Sequence, residues 1–203
     1  MPSDAGSPTL SAESMRPTTF SLGRSFRPLA PLLLAAAVAG GVYAWAKNGT
    51  PDYGTSLFGQ TGADTLPLKS WLATGVLGLA LLQLYTALWL YGRIRRPRVR
   101  PRGLGTAHRL TGAAAILLSL PIAYHCLFAY GFEDFDTRVL VHSLAGCFIY
   151  GAVAAKVLVV RWRSLPGWVL PVAGGTLVCV VVVLWYTGAL WYFNNDNLPL
   201  FGG

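Results

Sequence analysis

His125 and His142 are the residues whose type and placement could do chemistry. Each lies inside a long apolar stretch, HRLTGAAAILLSLPIAYHCLFAYGF for the first and RVLVHSLAGCFIYGAVAAKVLVV for the second, and a short acidic loop joins the two. His125 is five residues before Tyr130, near the end of its stretch, and His142 is four residues after Arg138, near the start of the next. If the stretches are antiparallel membrane helices, both imidazoles sit at a similar depth beneath the same surface. An ionisable side chain inside a bilayer is costly, which makes each a functional candidate. Two imidazoles facing each other across adjacent helices suit the two axial positions of a b-type haem iron. Three other uses fit the same residues: helix–helix hydrogen bonding, a proton relay, or a metal-ion site.

Their neighbours extend the candidate site. Gly146 follows His142 by four residues, on the same helix face, and its missing side chain leaves space for a flat ring. Arg138 lies one turn to the other side of His142, where its fork suits a haem propionate or an interfacial anchor. Lys69, Trp71 and Tyr124 are further candidates at that edge, where aromatic residues are expected in any membrane protein. Pro121, four residues before His125, removes a backbone hydrogen bond, and either re-aims the histidine or serves as a packing kink. The chain has three cysteines, Cys126, Cys147 and Cys179, all in apolar stretches. Without a C-x-x-C or C-x-x-C-H pattern they read as small buried hydrophobes, not as covalent haem, zinc or redox motifs. Met1 and Met15 are the only methionines, which removes methionine as a ligand within the apolar stretches.

The elements that must position these residues follow from composition. The 203-residue chain is 54% hydrophobic and 12% charged, against about 25% charged in soluble domains. Five stretches, about 28–46, 70–92, 108–130, 139–161 and 168–193, are long enough to cross a hydrocarbon core. Continuous apolar runs favour helices over a barrel, whose strands alternate. The expected fold is therefore all-α: an integral membrane bundle of five transmembrane helices over residues 26–203, preceded by a disordered Ser/Pro/Thr/Gly-rich tail, 1–25. Ala44-Trp45-Ala46 has the form of a signal-peptide cleavage site, but the long apolar run and the bulky flanking rings favour a retained helix.

Arginine placement orients the bundle. Arg93, Arg95, Arg96, Arg98, Arg100 and Arg102 crowd one connection, with Arg16, Arg24 and Arg27 in the tail and Arg161 and Arg163 in the fourth connection. The opposite side holds Lys47, Lys69 and Arg138 among several acids. The positive-inside rule puts the N-terminus in the cytoplasm and the C-terminus outside, in a multi-pass protein of the cell membrane. The net charge of +8 then reflects topology and anionic lipid, not nucleic-acid binding, for which no module is present. The 47–69 connection is long enough to fold over the outer mouth of the bundle, beside the histidine pair. The Glu133–Asp136 loop is there too, as an ordinary solvated loop or a dock for a basic partner.

His108 stands apart. It is 17 residues before His125, roughly 25 Å along a helix and about 100° round it, and is expected at the cytoplasmic interface beside Arg109, binding headgroups. A two-haem cytochrome commonly spaces ligands about 14 residues apart on one helix. Fourteen residues before His125 is Thr111 and fourteen after His142 is Lys156, so one haem is expected. Lys156 is expected to snorkel towards headgroups, with a quinone or lipid contact as the minor use.

The segments SLPIAYHC (119–126), RVLVHSLAGCFIYGAVAAKVLVVR (138–161) and LPGWVLPVAGG (165–175) carry a resemblance to small multi-pass membrane proteins of unknown function from high-GC Gram-positive bacteria. The resemblance runs from about Ser56 to Phe193. In layout the group looks like transmembrane b-type cytochromes, and the resemblance implies an association with Rieske-type iron–sulfur proteins. The chain departs from two-haem cytochromes in lacking their four histidines. These readings lead to one haem b held by His125 and His142, with electrons passing to or from an extracytoplasmic redox protein or a quinone. Two alternatives come from other classes: a structural or assembly subunit whose histidines tie helices together, and a small transporter with Gln83, His125, His142 and Lys156 on a polar path. An absorbance spectrum separates the first reading from both.

Overall fold

The computed structural model describes residues 29–94, 101–162 and 165–201. The tail 1–25 and most of the arginine-rich connection lie outside the described residues. Five long helices make up about two thirds of the described residues: α1 (Ala30–Asn48), α2 (Thr65–Leu90), α3 (Leu104–His125), α4 (Thr137–Arg161) and α5 (Val169–Trp185). A wider π turn, Cys126–Tyr130, extends α3, and a second, Tyr186–Leu190, leads α5 into the short α6 (Trp191–Phe193). No strand occurs among the described residues, where the only β-type pairing is an isolated bridge between Leu57 and Gln60. All five long segments are long and apolar enough to cross a membrane.

The helix boundaries follow from local chemistry. Pro31 sits in the first turn of α1 and Pro67 in that of α2, where a missing N–H leaves no bond unmade. That start, fed by a tight turn at Gly62–Asp64, puts α2 five residues ahead of the expected position and draws Lys69 into the helix. α3 likewise begins four residues early, just after Gly103 (φ +90°). Asp136 caps α4 by accepting from the Val139 amide at 2.7 Å, which satisfies one orphan donor of the first turn.

Polarity is arranged inside out. The largest fully buried side chains are His125, Thr65 and Thr187, and Ser70, Gln83 and Thr86 are buried too, alongside small apolar residues such as Ala129 and Ala189, whereas Leu32, Leu33, Leu117 and Trp168 are among the most exposed. In water such an exterior would be an aggregation surface. In lipid it is the expected one, because packing and interhelical hydrogen bonds, not apolar burial, hold helices together.

α4 packs between α1 and α5, and α2 packs between α3 and α5. The main chains of α3 and α4 hardly approach each other, although α4 follows α3 in sequence. A hydrogen-bond contact between Ser119 Oγ and Tyr150 Oη, 3.1 Å, crosses the seam between them. At the His125 end, α3 closes against α1: Phe132 N donates to Ala46 O at 3.1 Å, and Trp45 meets Phe128 edge-on. The 49–64 connection folds over this end, with Asp52 N donating to Phe128 O at 2.9 Å and Leu57 almost fully buried. This is the covering role its length suggested.

The helices use their glycines unequally. A Cβ at Gly40, Gly41, Gly78, Gly174 or Gly175 would meet open space, whereas one at Gly151 would overlap the Ala35 carbonyl of α1. Gly151 is therefore a point where α4 comes directly against the α1 backbone. Gly151→Val is expected to cost about 1–3 kcal/mol by overpacking and to lower the thermal midpoint in detergent, read by circular dichroism. Gly40→Ala should leave the midpoint unchanged.

Candidate functional site

The bundle end covered by the 49–64 connection gathers both histidines of the pair. His125 is the last residue of α3 before the π turn. It is 1% exposed, and neither ring nitrogen has a hydrogen-bond partner. The Thr55 main chain approaches the ring from the covering connection but stays outside hydrogen-bond geometry. Tyr130 meets the ring edge-on, centroids 5.5 Å apart. A neutral imidazole brings one donor and one acceptor, and leaving such a group buried and unpaired costs about 1–3 kcal/mol. An orphaned buried imidazole needs an explanation, and a bond from nitrogen to a metal would supply one.

His142 is held differently. Its Nδ1 lies 2.8 Å from Thr187 Oγ1. That hydroxyl also contacts the carbonyl of Val183, at 2.7 Å, one turn back on its own helix. A carbonyl only accepts, so the hydroxyl hydrogen points to Val183 and its oxygen accepts from His142 Nδ1–H. The proton thus sits on Nδ1, and the Nε2 lone pair is left without a partner among the described residues. A ring nitrogen tied back by a hydrogen bond, with the other one exposed, is the arrangement of a metal-ligating histidine. The ring needs Gly188 beside it: a Cβ there would be 2.9 Å from His142 Cε1. Gly146 has open space within 4 Å of its Cβ position.

Thr187 and Gly188 both belong to the second π turn, and the first π turn begins directly after His125. Turns of this kind are rare and concentrate at functional sites. They leave carbonyls without their usual partners. Phe128 O receives the Asp52 amide, and Thr187 O receives Arg138 Nη1 at 2.9 Å. Arg138 also stacks on Trp191, its Cζ 3.9 Å from the ring centroid, and lies 3.9 Å from Asp136. One threonine therefore takes both α4 residues, His142 at its hydroxyl and Arg138 at its carbonyl.

Lys69 is the less committed cation here. Its Nζ is 4.5 Å from the Tyr130 centroid and 3.5 Å from the phenol oxygen, and its charge is within reach of both imidazoles. Trp71 and Tyr124 are mostly exposed, at 66% and 54%, and face outward. Of the acidic loop, Asp134 pairs with Lys47 at 3.0 Å and Asp136 caps α4. The cysteines are free thiols. His108 bonds across to Thr86 of α2 at 2.8 Å, a helix–helix contact through Nδ1.

Among the described residues no three or more His, Cys, Asp or Glu side chains gather as a cluster able to hold a bare metal ion. His125 is left without a hydrogen-bond partner and His142 is bonded through Nδ1 alone. Residues 28–200, most of the chain, match DUF6529, a family of unknown function. The chain belongs to DUF6529. No curated protein and no solved structure matches it. The family brings no activity with it, so any function of this DUF6529 protein must be argued from the site.

Sequence reasoning missed Thr187, Gly188 and Trp191. The available signal was the Thr-Gly pair interrupting VCVVVVLWYTGALWYF, a polar and a small residue inside an otherwise apolar run. Arg138→Leu is expected to strand the Thr187 carbonyl. Its cost should be about 1.5–3 kcal/mol, the range for a charged hydrogen bond, seen as a lower thermal midpoint that Arg138→Lys partly restores.

Proposed function

We propose that this protein is a membrane electron-transfer protein that would hold one haem b in the seam between α3 and α4, with His125 and His142 as the residues that would bind its iron. The reading is supported by a His125 ring with both nitrogens unpaired, at the same end of the bundle as a His142 whose Nδ1 is tied back; neither His125 nitrogen borders open space, so haem entry requires α3 and α4 to part. The near absence of main-chain packing between α3 and α4 supports it, since a flat macrocycle needs such a seam. The layout likeness to b-type cytochromes noted in the sequence agrees with it.

Bound haem supplies a one-electron Fe(III)/Fe(II) couple. The chain's own residues set its surroundings. Thr187 fixes the His142 tautomer and raises the basicity of Nε2. Gly188 lets that ring seat against the backbone of the π turn, and Gly146 has open space at its own Cβ position. Lys69 offers an ammonium to a propionate, while Arg138 is largely engaged by Thr187, Trp191 and Asp136. The connection over the site, through Asp52, Thr55 and Leu57, excludes water from it. With arginines on the cytoplasmic side, the site faces the extracytoplasmic surface, where a redox protein is the exchange partner. A quinone is the partner on the lipid side.

A second reading, a structural or assembly subunit, draws on the hydrogen bonds from His142 to Thr187 and from His108 to Thr86. It explains those two histidines and leaves His125 without a role. Purified from haem-replete cells, the wild type is expected to show a Soret band and a reduced b-type spectrum, with a pyridine haemochrome value near one per chain. His125→Ala and His142→Ala should each abolish the spectrum, and His108→Ala and Lys156→Ala should retain it. A wild type without a Soret band, or pair mutants with normal haem, would overturn the proposal.

A further inference from the structure

The connections at the His125 end carry a series of rings that leads from the surface to the buried imidazole. Tyr53 is 64% exposed. Its ring meets Tyr130 with centroids 6.2 Å apart, and Tyr130 meets His125 at 5.5 Å, both edge-on. Each step is a direct ring contact, so two tyrosines join solvent to a ring that is 1% exposed and unpartnered. Both tyrosines are held in place. The Asp52 carboxylate accepts from Gly54 N at 3.0 Å and from Thr55 Oγ1 at 3.3 Å, and Thr55 N donates to Asp52 O at 2.9 Å. Tyr53 therefore sits in a closed turn. Asp52 N ties that turn to Phe128 O, within the π turn that ends at Tyr130. Lys69 Nζ lies 4.5 Å from the centroid of the Tyr130 ring. An exposed ring on so well-fastened a turn loses little freedom on meeting a partner.

The acidic loop belongs to the same surface. Pro51 Cγ is 3.7 Å from the position a Cβ would take on Gly131, and Lys47 pairs with Asp134 at 3.0 Å. The loop thus lies against the Tyr53 turn, and it presents Phe135, 75% exposed, between Asp134 and Asp136. The connections at this end, 47–69, 131–138 and 194–201, hold six carboxylates against three cations. Exposed rings with net negative charge around them suit a basic protein surface. Anionic lipid headgroups would be repelled by the same charge.

We propose that this surface docks a soluble one-electron carrier with a basic contact face, Tyr53 meeting the carrier and Tyr130 bridging on to His125. The proposal assigns the surface and the charge of the extracytoplasmic partner, and rests on the electron-transfer reading. One electron crosses the rings without oxidising them. When Fe(II) becomes Fe(III) on this side, the carrier's centre is reduced by one electron, and no bond or proton is exchanged.

Ferricytochrome c, a soluble one-electron acceptor with a lysine-rich contact face, is the probe. Its equilibrium binding to the full-length protein in zwitterionic nanodiscs, corrected for empty discs, does not depend on the protein's own haem. Saturable binding near one per chain is expected, weakening as ionic strength rises. Tyr53→Ala should weaken it about tenfold, as for an aromatic anchor of an interface, and Tyr53→Phe, which keeps the ring, should not. Within the saturated complex, oxidation of the reduced haem should slow severalfold in Tyr130→Leu and keep its wild-type rate in Tyr130→Phe. Absence of saturable binding, or binding indifferent to salt or to Tyr53→Ala, overturns the docking surface. Equal binding of an acidic ferredoxin also overturns it, because the contact would then ignore charge. Electron exchange unchanged in Tyr130→Leu overturns the route through that ring. Salt-sensitive, Tyr53-dependent binding to a protein free of haem keeps the surface and removes the electron-transfer reading.

Discussion

The hydrogen bonds at Thr187 hold the candidate site together. The π turn of α5 leaves the Thr187 carbonyl free for Arg138, and its hydroxyl, already donating to Val183, can only accept from His142. Two residues of α4 spaced one turn apart therefore depend on one residue of α5. Gly188, next in sequence, lets the imidazole come against the helix backbone. A wider turn spoils regular α-helical bonding, and in an apolar setting its unpaired groups are costly. Each of the two π turns recovers a partner from another element, Arg138 for one and the Asp52 amide for the other. The irregular turns, the covering connection and the placement of the histidines form one arrangement.

The inside-out polarity follows from the same economy. Helices whose outer faces are leucine, valine and tryptophan gain little from apolar burial against each other. Threonine and histidine contacts do the joining: Thr86 with His108 between α2 and α3, and Thr187 with His142 between α5 and α4. In both pairs the threonine is already committed to its own helix, so the histidine is fixed as the Nδ1–H tautomer. His125 is the exception. It is the most buried of the three rings and alone has no partner, so packing of the helices does not account for it.

Much of the architecture was legible in the sequence because it rests on long-range averages. Five continuous apolar runs specified five helices, and the edges moved by only a few residues where Pro67 and Gly103 start helices ahead of the last polar residue. The placement of His125 and His142 toward the same end of the bundle followed from antiparallel succession alone. What was not legible depends on single hydrogen bonds across helices distant in sequence. Arg138 was read from its own helix face, which gave its direction but not the carbonyl exposed by a turn 49 residues away. His108 was placed at an interface by its distance from His125, whereas Thr86, on another helix, determines its role. The π turns leave almost no trace in composition, and only Thr187-Gly188 marks one of them.

The central claim is that two imidazoles share one iron, and electron paramagnetic resonance of the oxidised, purified protein tests it most directly. Two neutral histidine ligands produce a strong axial field, so the account predicts a low-spin ferric signal of the bis-imidazole type that accounts for the haem iron present. A high-spin ferric signal as the only one, or protein free of iron when purified from haem-replete cells, would contradict it.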